Sequence, residues 1–199
     1  MILAKILLSK KKNPYTPGQI LVDSSISTPS SITLLTDGIY ELRLVGGGGG
    51  ASIVSGGIVG CGGSGSAFVG KVYLTKGTYA VSVGNLGASK STTSSTTRAE
   101  SGGSSNLGSA YAYGGVGGGF HVGGTGGQAP SIPYSIISSS INTAGNSGGS
   151  RTSMPVNTSV NGGASLYNDY GKGTGVYRTT GNATFRYGTE GYVYLAYES

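Results

Sequence analysis

GGVGGGFHVGGTGGQ, from Gly114 to Gln128, repeats every three residues, and four of its five triplets begin with two glycines. A period of three is that of the polyproline II helix, which has about 3 residues per turn and rises roughly 3.1 Å per residue. The repeat leaves two faces of such a helix bare and places the remaining side chains on the third: Val116, Val122, Thr125 and Gln128. Bare faces allow neighbouring backbones to approach closely and form hydrogen bonds, so this stretch predicts packed polyglycine segments.

The composition favours order over disorder for a chain with 40 glycines among its 199 residues. Disordered chains are poor in aromatic residues and rich in charge. This sequence has 14 tyrosines, 36% hydrophobic residues and 10% charged residues. We therefore expect one folded domain with a modest core.

The stretches between the glycines predict an all-β fold. Residues 31–35 and 39–45 flank an Asp-Gly turn, and 67–74 with 78–84 form a second expected hairpin. Apolar residues alternate along these stretches and along the last one, 191–199, with the period of a half-buried strand. No stretch shows the sustained 3.6-residue period of a helix, so we expect few helices.

The middle of the chain, about 85–181, is rich in glycine and serine and leaves two interpretations open. It is either an inserted subdomain of packed glycine-rich segments or a set of long functional loops, since a plain loop of this length is implausible in a compact domain. The glycine block 46–65 is assigned to the same layer. The predicted organisation is an N-terminal arm, 1–30, followed by a glycine-rich β domain, 31–199.

The formal net charge of +6 does not predict nucleic-acid binding, because much of the excess lies at the N-terminus. A nucleic-acid surface needs basic residues clustered on one face of a domain with aromatic residues among them. The apolar run at residues 2–8 is too short to cross a bilayer, and its charges follow it, unlike those of a secretory signal. We interpret the arm as a docking element, with the candidate residues Lys5, Lys10, Lys11, Lys12 and Tyr15.

The sequence gives little support to catalysis, to metal binding or to a cofactor. Cys61 is the single cysteine and His121 the single histidine, and no third orienting group accompanies either in sequence. Glycan hydrolysis uses a pair of carboxylates, yet only Glu100 and Asp169 are acidic in the variable middle. No metalloprotease, nucleophile-elbow or phosphate-loop motif occurs. We therefore expect no enzyme, no catalytic residue and no cofactor.

Four stretches, in this order, resemble one known family: LRLVGGGGGAS (42–52), GGSGSAFVGKVYLTKGTYAVSVG (62–84), YGKGTG (170–175) and GYVYLAY (191–197). Together they are similar to the glycine-rich domain of bacteriophage tail-fibre and tail-tip proteins, over about residues 39–197. Two positions depart from the family pattern. Thr174 stands in place of glycine, which puts close packing there in question, and Glu190 replaces an aspartate.

The resemblance implies a β-sandwich or jelly-roll-like framework with polyglycine II helices packed beside it, in a virion protein that is often trimeric. The first functional hypothesis is an adhesin at the tail tip, on a fibre or on another appendage, which binds a bacterial surface glycan or outer protein. Aromatic side chains in the glycine-rich middle are the receptor-binding candidates: Tyr111, Tyr113, Phe120, His121, Tyr134, Tyr167, Tyr170 and Tyr177. The alternative is a purely structural virion component, such as a connector, baseplate piece or capsid decoration, docked on other virion proteins by the N-terminal arm.

Overall fold

The fold is all-β. The structure, a computed structural model, describes residues 13–54, 57–94, 96–180 and 182–199, and no helix occurs among them. Its strands are β1 (Ile20–Asp23), β2 (Ser31–Leu34), β3 (Gly38–Val45), β4 (Ser52–Val54), β5 (Ile58–Gly60), β6 (Ala67–Leu74), β7 (Gly77–Ser82), β8 (Lys90–Thr92), β9 (Ser105–Leu107), β10 (Ala110–Ala112), β11 (Ser135–Thr143), β12 (Ser150–Arg151), β13 (Thr158–Val160), β14 (Val176–Arg178), β15 (Ala183–Phe185) and β16 (Tyr192–Tyr197).

Two sheets enclose the main hydrophobic core. One has the strand order β1-β16-β3-β6-β11 and the other β10-β9-β7-β2. The predicted alternation along β3 is confirmed, since Tyr40, Leu42 and Leu44 are fully buried while Glu41 and Arg43 on the opposite face are half-buried. Strands of both sheets contribute to one buried cluster, so the apolar faces of the sheets face each other.

The two expected hairpins do not form. β2 pairs with β7 in one sheet, and β3 pairs with β6 in the other, so each short turn carries the chain from one sheet to the next. The two turns lie side by side, and the backbone N–H of Lys76 donates to the carboxylate of Asp37 at 2.6 Å. The positions of both turns were predicted correctly. The predicted pairing of the two strands that flank each turn was wrong, because each strand pairs with a more distant part of the chain.

Ten glycine-rich segments connect the strands, and we number them PG1 to PG10 in chain order. They are 46–51, 61–66, 84–89, 99–104, 113–119, 122–128, 144–149, 161–164, 171–175 and 188–191. Their backbone groups form hydrogen bonds to one another instead of to β-ladders. The glycine-rich parts of the middle are therefore packed segments, as the first of the two interpretations proposed, but they bond to PG1 and PG2 and do not form a separate inserted subdomain.

PG2 shows how the segments pack. Its backbone amides point in turn to three neighbours, and the neighbour repeats after three residues. The donors are Cys61 and Ser64 to PG7, Gly62 and Gly65 to PG9, and Gly63 and Ser66 to PG5. Its carbonyl groups accept from PG1, PG6 and PG8, which gives PG2 six neighbours. A threefold turn with sideways hydrogen bonds is the polyglycine II pattern that the period of three predicted.

PG1 also has six neighbours, and the two central segments fix the plan of the array. PG1 donates to PG2, PG4 and PG10 and accepts from PG3, PG5 and PG9. The remaining hydrogen bonds complete three rows: PG4–PG5–PG6, then PG3–PG1–PG2–PG7, then PG10–PG9–PG8. The glycine-rich ends of the block 46–65 therefore belong to this layer, as predicted, and supply its centre, whereas β4 and β5 between them belong to a small sheet with β8 and β12.

Close approach of the backbones explains why these positions are glycine. A Cβ added at Gly115 or Gly117 would lie 2.5 Å from the carbonyl carbon of Gly63 or Ala99, respectively. Gly114 and Gly118 face neighbouring backbones in the same way, whereas Val116 between them is half-buried and has room for its side chain. Two of three positions are closed in this outer segment, as its sequence period predicts.

Thr174 is accommodated in PG9 despite replacing a glycine of the family pattern. Its backbone N–H donates to the carbonyl of Gly49 at 2.9 Å, and the residue is 3% exposed. Its hydroxyl oxygen is buried and has no hydrogen-bond partner among the described residues. Close packing is therefore kept at this position, but a polar atom is left without a partner.

The segments run alternately in opposite directions between two ends of the array. PG1 leads from β3 to β4, PG2 returns from β5 to β6, and the later pairs repeat this course. We call the end with the two large sheets the base and the other end the tip. The tip consists of the sheets β12-β5-β4-β8 and β13-β14-β15. With about 3.1 Å per residue, a six-residue segment separates base from tip by roughly 18 Å.

Candidate functional site

The predicted receptor-binding residues are divided between the two ends. Phe120, His121 and Tyr177 lie at the tip. The others lie at the base: Tyr111, Tyr113, Tyr134, Tyr167 and Tyr170. The eight side chains therefore do not form one site.

Phe120 and His121 form the tight turn between PG5 and PG6. The turn is closed by a hydrogen bond from the N–H of Gly119 to the carbonyl of Val122 at 2.9 Å. His121 has a φ of 40°, in the left-handed region that histidine adopts more readily than bulky apolar residues. Its ring meets that of Phe120 edge-on at a centroid distance of 4.0 Å, and the imidazole is exposed. Both rings are thus presented at the tip.

Tyr177 lies in β14, the central strand of the three-stranded tip sheet. The guanidinium of Arg186 lies over its ring, 4.9 Å from the centroid. The next residue, Tyr187, is 93% exposed and was not among the predicted candidates. It lies outside the stretch 85–181 from which they were chosen, and the dipeptide Arg186-Tyr187 beside a glycine was the available signal.

Tyr134 serves the packing of the base. Its hydroxyl donates to the carbonyl of Leu107 at 2.8 Å and accepts from the N–H of Ser109 at 3.1 Å. Its ring packs edge-on against Tyr79 with the centroids 6.0 Å apart. Tyr111 is more accessible, at 40% exposure, and stacks on Tyr113 along the same face of the chain.

Tyr167 and Tyr170 hold the PG8–PG9 turn against the five-stranded sheet. The ring of Tyr170 stacks on that of Tyr192 with centroids 4.4 Å apart, and the hydroxyl of Tyr167 accepts a hydrogen bond from Arg43 at 2.6 Å. Burial, together with the nearby Asp23 carboxylate, raises the pKa of Tyr192 above its usual value. These contacts give both tyrosines a structural role.

Of the docking-arm candidates, Lys5, Lys10, Lys11 and Lys12 lie outside the described residues, so docking through them stays a prediction. Tyr15 is 9% exposed and belongs to the main core. Its hydroxyl accepts from the N–H of Leu35 at 3.0 Å. The ordered domain therefore extends N-terminally past residue 31, and Tyr15 is a core residue and not an accessible docking contact.

Charge is distributed unevenly between the two ends. Basic residues gather at the tip: Lys90, Arg98, Arg151, Arg178 and Arg186. Glu100 is the acidic residue on this side among those described, and it pairs with Lys90 at 3.5 Å. The other acidic residues lie at the base: Asp23, Asp37, Glu41, Asp169, Glu190 and Glu198. The tip is thus a positively charged surface.

Cys61 and His121 do not come together as a nucleophile and its base. Cys61 is fully buried in PG2, where burial raises the pKa of its thiol to about 12, while His121 is exposed at the tip. In the described part of the chain, no three histidine, cysteine, aspartate or glutamate side chains come together as a metal site. Over the same residues, no helix has the length and apolar character to span a bilayer.

Comparison with known proteins identifies the domain. A search of curated proteins found no match to the chain. The model of a glycine-rich domain family matches residues 27–197, a range that holds all ten PG segments and both sheets of the tip. Since this match covers most of the sequence, the chain belongs to the glycine-rich domain family.

Proposed function

We propose that this domain is an adhesin of a bacteriophage virion, located at a tail tip, fibre or other appendage, that binds a bacterial surface glycan or outer protein. The observation that carries the proposal is the collection of chain reversals at the tip. Each outgoing PG segment is joined there to a returning one, by 52–60, 90–98, 120–121, 150–160 and 176–187. Connections displayed together on a rigid scaffold are where binding residues are most often found.

The chemistry of the tip fits a receptor-binding surface. Aromatic and arginine side chains are enriched in the energetic centres of protein interfaces. The tip presents Phe120, His121 and Tyr177 from the predicted set, together with Tyr187 and Arg98. Asn13, which follows the lysine-rich part of the N-terminal arm, contacts Tyr197 of the five-stranded sheet at the base, so we assign the base to attachment within the virion. A homotrimer is part of this proposal.

Binding of labelled protein to cells and extracted envelopes from a panel of bacterial hosts tests the proposal. The tip variant combines Phe120→Ser with His121→Gly, since glycine adopts the φ of this turn without strain. Tyr111→Ser, exposed at the base, is the matched control. We expect strain-selective, saturable binding that the tip variant weakens about tenfold and the base variant leaves unchanged.

Two other outcomes would redirect the interpretation. Loss of binding in the base variant alone would move the receptor surface to the base. Absence of binding across the panel would favour the structural alternative, a connector, baseplate piece or capsid decoration docked by its N-terminal arm. Light scattering of the purified protein tests the trimer separately.

A further inference from the structure

A groove of about 520 Å³ runs along the outer face of PG9, in the row PG8–PG9–PG10. Its volume falls within the roughly 300–1,000 Å³ of sites that take small molecules. We call it the PG9 groove. None of the predicted receptor-binding residues lines it, but Arg186 and Tyr187 of the tip connection 176–187 do, so the groove adjoins the tip.

Glycine makes the floor of the PG9 groove. Lys172 and Gly175 are three residues apart, which in a threefold helix places them on the same side of PG9. Lys172 carries an exposed side chain at one end of this side, and Gly175 at the other end is buried, where an added Cβ would lie 2.8 Å from the carbonyl oxygen of Val160. Gly162 and Gly173 also line the groove, so a ligand in it can lie close to the main chain.

Two basic side chains border this floor, and the backbone around them is fixed. Arg186 donates its backbone N–H to Gly175 at 2.7 Å, and its guanidinium is supported by the ring of Tyr177. Lys172 donates its backbone N–H to the hydroxyl of Thr189 at 2.8 Å and accepts from the N–H of the same residue at 2.9 Å. Both side chains are exposed, and within the described residues neither forms an ion pair.

An aromatic ring and an amide complete the lining. Tyr187 is 93% exposed, the highest exposure among the large apolar and aromatic side chains of the described residues. A tyrosine ring offers an apolar face for stacking and a hydroxyl for hydrogen bonding. Asn161, on the opposite side, has an amide that can both donate and accept. This set suits a ligand with hydroxyl groups, an apolar ring face and a negative charge.

We propose that the PG9 groove binds an anionic saccharide, a sugar ring bearing a carboxylate or a phosphate. Tyr187 stacks on the ring, Lys172 and Arg186 bind the anionic group, and Asn161 bonds to hydroxyls. This inference rests on the proposed adhesin function and narrows its receptor to an acidic glycan. The anion is held by charge–charge contacts at a surface, so binding weakens as salt rises.

Binding of defined probes to the purified full chain, followed by NMR and calorimetry in about 50 mM salt, tests the groove. A hexasaccharide of alternating glucuronic acid and N-acetylglucosamine provides the carboxylate, and the N-acetylglucosamine hexasaccharide is its neutral counterpart. Glucose 6-phosphate provides the phosphate, and glucose is its neutral counterpart. The variants are Lys172→Gln combined with Arg186→Gln, Tyr187→Ala, Tyr187→Phe as the ring-retaining control, and Lys76→Gln as an exposed lysine at the base.

We expect at least one charged probe to bind about tenfold more tightly than its neutral counterpart. The double glutamine variant should remove that preference, Tyr187→Ala should weaken binding about fivefold, and Tyr187→Phe and Lys76→Gln should change little. The charged probe that binds identifies the anionic group of the ligand as a carboxylate or a phosphate. Equal binding of charged and neutral probes, no binding of either charged probe, or unchanged binding by the double variant would each overturn the proposal.

The same double variant separates this inference from the adhesin function. If envelopes bind the wild-type and double-variant proteins equally, the adhesin proposal stands and the PG9 groove is not its receptor site. If a charged probe binds in the groove but no envelope binds, the saccharide site stands and the adhesin proposal fails. Melting temperatures of all variants, expected to equal that of the wild-type protein because the side chains are exposed, confirm that folding is intact.

Discussion

Gly117→Ala tests whether the glycine array is held by close backbone contact. The new Cβ would lie 2.5 Å from the carbonyl carbon of Ala99, so PG4 and PG5 must separate by roughly 1 Å to reach ordinary contact. Two hydrogen bonds join these segments, Gly102 to Gly115 and Ala99 to Gly118, each 2.9 Å long. Lengthening both by that amount breaks them, because hydrogen bonds weaken steeply beyond about 3.2 Å.

The expected cost follows from those two bonds. A lost bond that leaves a buried backbone group unpaired costs about 1–3 kcal/mol, so the pair costs about 2–6 kcal/mol. For a domain of this length each kcal/mol lowers the melting temperature by about 2–4 °C, which gives a fall of about 4–24 °C. Urea and thermal unfolding, followed by far-ultraviolet circular dichroism, measure both quantities.

Gly119→Ala is the matched control in the same segment. The nearest atoms to its added Cβ belong to the guanidinium group of Arg98, with Nε 3.3 Å away, and that flexible side chain can move. Alanine also restricts the unfolded chain, so this variant should change stability by less than about 1 kcal/mol and in the stabilising direction. Val116→Thr, on the open side, should also have a small effect. Equal losses at residues 117 and 119 would refute the close-contact explanation.

Three further experiments probe buried polar groups. Burial, followed by the charges of neighbouring tyrosines, raises the pKa of Tyr40. The folded state therefore favours the neutral phenol. The free energy of unfolding keeps its full contribution from Tyr40 below about pH 10 and falls at higher pH. Tyr40→Phe should reduce this alkaline loss, measured as the urea midpoint between about pH 8 and 11.5. Cys61 should resist a thiol reagent at neutral pH until the domain unfolds, and rapid labelling of native protein would contradict its burial. Thr174→Val should raise the free energy of urea unfolding by about 1 kcal/mol, because it removes a buried hydroxyl that lacks a hydrogen-bond partner. A loss of stability would show that the hydroxyl forms a hydrogen bond.

Much of the fold could be predicted from local sequence patterns. The period of three around Gly117 gave the bare faces and the packed segments, because each helical turn repeats the same neighbours. The alternation of Tyr40, Leu42 and Leu44 gave the buried face of β3. Strand partners could not be predicted in this way. The turn before Gly77 is compatible with a hairpin or with a crossing between sheets, and only long-range packing of the core decides between them.

The candidate site was less predictable, because exposure depends on which end of the array a residue occupies. Tyr134 and Tyr170 lie in the same glycine- and serine-rich middle of the chain as Tyr177, yet they pack at the base. Tyr187 has no periodic signal, and its exposure arises because the chain leaves the tip sheet just before it. Burial of Tyr15 likewise depends on β1 joining the far end of the sequence through β16.

The construction of the array has a consequence for the heat capacity of the domain. Apolar surface exposed on unfolding raises the heat capacity, whereas polar surface lowers it. The PG segments are joined by peptide hydrogen bonds and contribute few apolar side chains, which concentrate instead at the base and tip. The heat-capacity increment per residue should therefore lie below the usual value of about 12–15 cal/mol/K. A smaller increment flattens the stability curve, so the domain should lose little free energy of unfolding on cooling and keep its fold across a broad temperature range.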